Sequence, residues 1–168
     1  MRAAQAGSAE AMEGLFRLHW RQAHRAAYLV TGDATAAEDI AQESLLAAIR
    51  ALDSFDRRRP FGPWLHRIVV NRAIDFARSR ALRREVAAEA APERAAPDAP
   101  PPRPYSDELA AAIARLGPEQ RAVIVLRYLL DYTPGEIAEL LDLPRGTVNS
   151  RLRRALDTLA AELGEAPS

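Results

Sequence analysis

The stretch Val86–Pro104, VAAEAAPERAAPDAPPPRP, constrains this 168-residue chain most, because nothing in it can bury a core. It holds six of the twelve prolines and almost no large apolar side chain. Proline fixes φ and lacks an amide hydrogen, so the run reads as an extended, partly stiff linker. The fold must then be built on either side of it, from residues 1–85 and 106–168, with 86–105 as the connection. The competing reading of its start is a short extension of the preceding helix as far as about Ala91, since alanine favours helix.

Both flanking segments repeat apolar residues at helical spacing. In the first, Met12, Leu15, Phe16, Ala23, Ala27 and Val30 predict a helix over about Ala9–Val30. Asp33 is placed to cap a second helix, whose apolar stripe is Ala37, Ala41, Leu45, Ala48, Ile49 and Leu52. The run Asp56-Arg57-Arg58-Arg59-Pro60 breaks it. A third helix carries Phe61, Leu65, Ile68, Val69, Arg72 and Phe76 along one side, with Pro60 and Pro63 in a loop or first turn.

In the second segment, Ser106 is placed to cap a helix holding Leu109, Ile113 and Leu116, and Gly117-Pro118 starts the next. Thr133-Pro134-Gly135-Glu136 is a capping box with proline at the first helical position. Ile137, Leu140 and Leu141 face inward, and Leu143-Pro144 makes a turn. Val148, Leu152, Ala155, Leu156, Leu159 and Leu163 form the expected buried stripe of the last helix. Two short helices joined by a tight turn, the second one arginine-rich, are the layout of a helix-turn-helix. The expected fold class is thus all-α, with two small helical domains joined by a flexible Ala/Pro-rich linker.

Charge narrows the partners. The chain has 23 Arg, no Lys, 23 acids and a formal net charge of zero, so no global field draws it onto nucleic acid. Local patches must do so instead. Arg145, Arg151, Arg153 and Arg154 cluster in ten residues. Val148 and Leu152 point inward, so Ser150 and Arg154 point nearly the opposite way, flanked by Thr147 and Arg151 and, on a neighbouring strip, by Asn149 and Arg153. That face offers Arg for guanine or phosphate, Asn for adenine, and Thr and Ser for either. The amides near Gly146-Thr147 can hold a phosphate.

A second basic set lies at Arg57, Arg58, Arg59, Phe61, Trp64 and Arg67, with Asn71, Ile74, Asp75 and Arg78 continuing one side of the helix. Aromatic rings beside arginine suit unstacked bases. Phe61 and Trp64 equally suit a core, and residue type alone leaves both readings open. Asp39, Gln42 and Glu43 are spaced to form one polar patch on a helix.

These blocks together resemble a known family. Asp39-Ile40-Ala41-Gln42-Glu43, Phe61-Gly62-Pro63-Trp64-Leu65, Asn71 and Asp75 resemble the promoter-melting domain of bacterial sigma factors. Leu116 to Arg121, Glu136-Ile137-Ala138 and Gly146 to Ala155 resemble their C-terminal helix-turn-helix. With only these two domains and a linker, the chain is similar to an extracytoplasmic-function (ECF) sigma factor. The resemblance implies that Asp39, Gln42 and Glu43 dock on the clamp coiled coil of core RNA polymerase. It implies that Arg57, Arg58, Arg59, Phe61, Trp64, Arg67 and Asn71 read and trap opened −10 DNA. It assigns duplex −35 recognition to Arg145, Thr147, Asn149, Ser150, Arg151, Arg153 and Arg154. Asn149 and Arg145 depart from the residues common in the family, which leaves the −35 sequence unassigned. A separate anti-sigma protein is the expected regulator.

Other readings exist. A stand-alone helix-turn-helix regulator would use residues 1–85 as a sensor or dimerisation module, but that leaves the Asp39–Glu43 patch and the Arg/Trp cluster unexplained. An adaptor without DNA binding does not account for the exposed arginine face. An enzyme would need acids, histidines or metal ligands converging from facing helices. His19, His24 and His66 have no metal-pair spacing and read as helix-surface or core-edge residues. With no cysteine there is no disulfide or thiolate site, and neither metal nor cofactor is expected. No apolar run approaches the roughly 20 residues that span a bilayer, and the N-terminal residues lack a signal-peptide core, so a cytoplasmic location is expected.

Overall fold

The computed structural model describes residues 1–90 and 107–164, whose regular structure is helical, with no strand among them. The order is α1 (Arg2–Gln5), α2 (Ala9–Thr31), α3 (Ala34–Arg50), a 3₁₀ turn (Leu52–Ser54), α4 (Phe61–Ala90), α5 (Asp107–Arg115), α6 (Pro118–Ile124), a π turn (Val125–Leu129), α7 (Pro134–Leu141) and α8 (Arg145–Glu162). The Ser106 cap lies outside the described residues.

The helix ends follow from local chemistry. Ser8 accepts from the Ala11 amide to start α2, and Gly32, left-handed at φ 67°, ends it. Asp33 then accepts from the Ala36 amide to start α3. The Thr133 and Glu136 side chains each accept from the other's backbone amide, at 3.3 and 2.7 Å, closing the capping box of α7. Asp142, left-handed at φ 55°, turns the chain into α8. The helix α4 runs on to Ala90, past the expected boundary at 85. The reason is compositional: Val86 to Ala90 is alanine-rich, and the first proline comes only at Pro92.

The first module is α2, α3 and α4 packed together. Their facing sides are rich in small residues: Ala23, Ala26 and Ala27 on α2, Ala37, Ala41 and Ala48 on α3, and Ala73 on α4 are all fully buried. Small side chains bring helix axes close, and Leu45, Leu65, Val69 and Val70 fill the rest. Each such buried aliphatic stabilises the fold by roughly 1.5–3 kcal/mol relative to exposure. The second module is built by α5 to α8 around Leu116, Val123, Leu126, Ile137 and Val148. Leu156 and Leu163 were expected in its buried stripe, but they are 42% and 38% exposed. Leu156 lines an open apolar groove with Leu29, Leu109 and Ile113, while Leu159 beside it is buried.

The two modules also pack on each other, α2 and α4 against α6 and α7, and their buried residues form one continuous cluster. Polar contacts between described residues tie this interface. Arg121 spans it, donating to its own Leu116 carbonyl at 2.8 Å and to the Val30 carbonyl at 2.9 Å. That second acceptor lies in the last turn of α2, where carbonyls lack helical partners and the helix dipole favours a cation. Arg78 pairs with Glu119 at 2.6 Å, and His66 Nδ1 meets the Tyr132 hydroxyl at 2.7 Å. His66 is therefore no surface or core-edge residue: it is 5% exposed, because α4 turns it toward the second module.

Candidate nucleic-acid interfaces

Helix α8 presents the first candidate surface. Val148, Leu152, Ala155 and Leu159 are buried, and Arg145, Asn149, Arg153 and Arg154 are exposed. Asn149, Ser150, Arg153, Arg154 and Asp157 line one shallow groove. Thr147 and Ser150 are half-buried at its edge. Ser150 donates its hydroxyl proton to the Thr147 carbonyl at 2.9 Å, which leaves its oxygen as an acceptor. The Thr147 amide is bonded to the Pro144 carbonyl at 2.9 Å, so the amides open to a phosphate are those of the turn before it. Arg151 sits differently from its neighbours. It is half-buried and near enough to Glu119 to help hold that carboxyl below its usual range, against the opposing effect of burial and alongside the larger contribution of Arg78. It is not one of the residues that line the groove.

The second surface lies in the first module. Asp56 folds the arginine loop back on itself: its carboxylate accepts from the Arg58 amide and its carbonyl from the Arg59 amide, both at 3.0 Å. Arg57, Arg58 and Arg59 are thereby exposed. An aromatic platform lies beneath them. Phe55 and Trp64 are 4.7 Å apart between ring centroids, Phe61 and Trp64 5.6 Å, and His19 and Phe61 5.1 Å. Phe61 is 7% exposed, so it belongs to the core side of that platform and has no free face for a base. Trp64 is half-buried and keeps one edge open. Arg67, Asn71, Asp75 and Arg78 continue the exposed stripe along α4, while Ile74 is buried. The stripe ends where Arg78 meets Glu119 of the second module.

A third surface is acidic. Asp39, Gln42 and Glu43 are all exposed on α3, and Glu43 is held by Arg72 of α4 at 2.8 Å. Leu46, 39% exposed, lies one turn on along α3 and gives this polar strip an apolar end. The spacing of Leu46 from Asp39 and Glu43 carried that signal.

Burial sets the protonation of the interface pair. It pushes His66 down to about 4, with His19 nearby adding to the effect. It raises Tyr132 to about 12, helped by Glu136. Both are neutral at pH 7, so their contact is an uncharged hydrogen bond.

The sequence matches the family model for Sigma-70 region 2 over residues 15–83 and that for Sigma-70, region 4, over residues 106–159. It is 38% identical to the ECF RNA polymerase sigma factor SigM of Mycobacterium tuberculosis over 165 residues, which is 95% of this chain and 80% of that protein. This chain belongs to the ECF RNA polymerase sigma factors. A solved structure of CnrH, in complex with the cytosolic domain of CnrY, is 30% identical, with a TM-score of 0.70 over 97% of this chain and 94% of that one. The sigma factor RpoE of Bartonella quintana, solved with the anti-sigma factor NepR, shares the fold at a TM-score of 0.74 and 23% identity, over 92% of this chain and 98% of its own. The sigma factor therefore binds core RNA polymerase and directs promoter-specific initiation. The stand-alone regulator reading fails on the first module, which is a sigma region 2 and not a sensor. No helix among the described residues is long and apolar enough to cross a membrane.

Proposed function

We propose a division of labour among the three surfaces. Residues 1–85 carry core polymerase docking and −10 recognition, and residues 106–168 carry −35 recognition. Asp39, Gln42 and Glu43 on α3 dock on polymerase. Arg57, Arg58, Arg59, Trp64, Arg67 and Asn71 hold opened −10 DNA, with Phe61 as support from below. Arg145, Thr147, Asn149, Ser150, Arg153 and Arg154 read duplex −35 DNA, and Arg151 contributes once its side of α8 is free. The observation that carries this reading is the pairing of two exposed arginine sets with two different backings. One lies over an aromatic platform, which suits unstacked bases, and one lies on a groove-sized helix, which suits duplex.

The packed arrangement of modules fits a protein waiting for polymerase. A chain of this length packs to a radius of gyration of about 15 Å, hence about 40 Å across. The −10 and −35 elements lie about 25 base pairs apart, about 85 Å along duplex at about 3.4 Å per pair. One packed body cannot hold both elements, so the modules part when polymerase and promoter take them. A separate anti-sigma protein in the cytoplasm is the expected regulator, by analogy with the partner in the RpoE structure.

Two paired variants test the division. Arg153→Ala with Arg154→Ala should lower −35-dependent transcription about 100-fold and leave polymerase binding intact, since each base or phosphate contact contributes roughly 1–3 kcal/mol. Asp39→Ala with Gln42→Ala should weaken polymerase binding about tenfold and leave isolated −35 binding intact. Equal loss of polymerase binding in both pairs would overturn the assignment.

A further inference from the structure

The N-terminal helix α1 lies outside the region 2 match, which begins at residue 15, yet it is tied to the arginine loop. Gln5 Nε2 donates to the Leu52 carbonyl at 2.7 Å and to the Phe55 carbonyl at 3.2 Å, the residues that open and follow the 3₁₀ turn. Ala4 is 1% exposed and packs into the core, which fixes where Gln5 stands. One amide group thus holds both ends of the turn. Phe55 in turn carries the aromatic platform, at 4.7 Å from Trp64 and 5.8 Å from Phe61. Asp56, next in sequence, holds the Arg58 amide at 3.0 Å. The chain of contacts runs from Gln5 through the turn to the arginines.

The same segment also walls a space. Met1, Arg2 and Gln5 from the N-terminus and Asp53, Asp56, Arg57 and Arg58 from the loop line one open concavity over Phe55. Guanidinium groups supply donors and offset phosphate charge, and carboxylates accept from exocyclic amines, while Phe55, 8% exposed, backs the space from the core side. An unpaired nucleotide needs that combination: polar groups for its base edge and cations for its phosphate.

We propose that α1 is part of the −10 reader: Gln5 is a positioning residue that sets the loop, and Arg2 forms one wall of a pocket for a single extruded nucleotide of −10 DNA. The proposal rests on the assignment of the arginine loop to the −10 strand. Selectivity at one −10 position then depends on residues that region 2 alone does not contain. Changes in this segment would retune promoter choice without touching the loop itself.

The test is transcription by polymerase reconstituted with the full chain, on a promoter library randomised across both elements. Gln5→Glu is isosteric and removes the donor, while Gln5→Lys keeps one. Gln5→Glu and Arg2→Ala should each flatten the base preference at one −10 position about tenfold, a typical cost for one mismatched position. Preferences at the other −10 positions and at −35 should stay as they are, and Gln5→Lys should keep the original profile. Unchanged profiles in Gln5→Glu and Arg2→Ala would overturn the proposal, as would an even loss at every position with lowered thermal stability. Arg57→Ala with Arg58→Ala separates the two levels. If that pair weakens −10 selection while Gln5→Glu does not, the loop reading stands and the role of α1 falls. If that pair has no effect, both fall.

Discussion

The two surfaces proposed to face DNA in this sigma factor are built in opposite ways. The one proposed for −35 is one helix. Every side chain on it comes from Arg145 to Arg154, and helical spacing alone separates its outward residues from Val148 and Leu152. The surface proposed for −10 DNA is assembled from three stretches, residues 1–5, 52–59 and 61–78, joined by Gln5, by the Asp56 turn and by the Phe55–Trp64 contact. Duplex recognition needs only a rigid rod of the right width. Trapping an unstacked base needs a concave site with a floor, and a floor comes from packing between elements. The first kind of surface can be damaged locally. The second is vulnerable wherever one of its supports is removed.

The largest expected effect concerns the bond between these surfaces. The chain has no cysteine, so Thr35→Cys with Ala161→Cys gives two unique labelling sites, both exposed. In the free protein, pair-distance measurements should give one compact population, within the roughly 40 Å of the packed body. With polymerase and promoter DNA the distance should rise by tens of ångströms, on the scale of the about 85 Å between promoter elements. An unchanged distance would mean that the two surfaces work as one body, and the contrast drawn above would lose its functional meaning.

A smaller effect should appear with pH. His66 has its pKa lowered from 6.5 to about 4 in the folded protein, so between these values the unfolded chain binds the extra proton. Stability is then fully present above pH 6.5 and is lost as pH falls toward 4, by an amount on the order of 3 kcal/mol. Glu119 and Glu136, both lowered, add losses at the acid end of the same range. His66→Phe isolates the histidine: its thermal unfolding should be less pH-dependent between 6.5 and 4 than that of the parent. Identical slopes would show that the His66–Tyr132 contact does not couple the modules in this way.

The smallest effect should be confined to one surface. Thr133→Ala removes the cap of α7 and should cost about 1 kcal/mol of stability. It should weaken −35 binding slightly through the tilt of α8 and leave −10 strand binding untouched. Loss of −10 binding in this variant would show that the modules are read as a unit.

Much of this was legible in the sequence, and for specific reasons. The Thr133–Glu136 capping box, the Asp33 cap and the Gly117-Pro118 start depend on residues three or four apart, and all stand as expected. The two motif sets, in order, pointed to the family before any contact was known. What was missed depended on distant partners. Leu156 and Leu163 had core periodicity, but Leu156 lines an open groove beside α5 and both stay more than a third exposed. His66 read as a surface or core-edge residue until the second module covered it. Phe61 kept two readings until Phe55, His19 and Trp64 enclosed it. Arg151 shared the spacing of its neighbours, yet it is half-buried.

The sequence by itself determined the helices, their ends, the family and the arginine face of α8, because those follow from hydrogen-bond rings and side-chain periods a few residues long. Only the tertiary structure decided that the two modules lie packed together, that Arg121 reaches the Val30 carbonyl, and that Gln5 stands behind the arginine loop. Those contacts join residues 47 to 91 positions apart. No local pattern encodes which carbonyl a distant side chain will meet; close packing of the helices between them does.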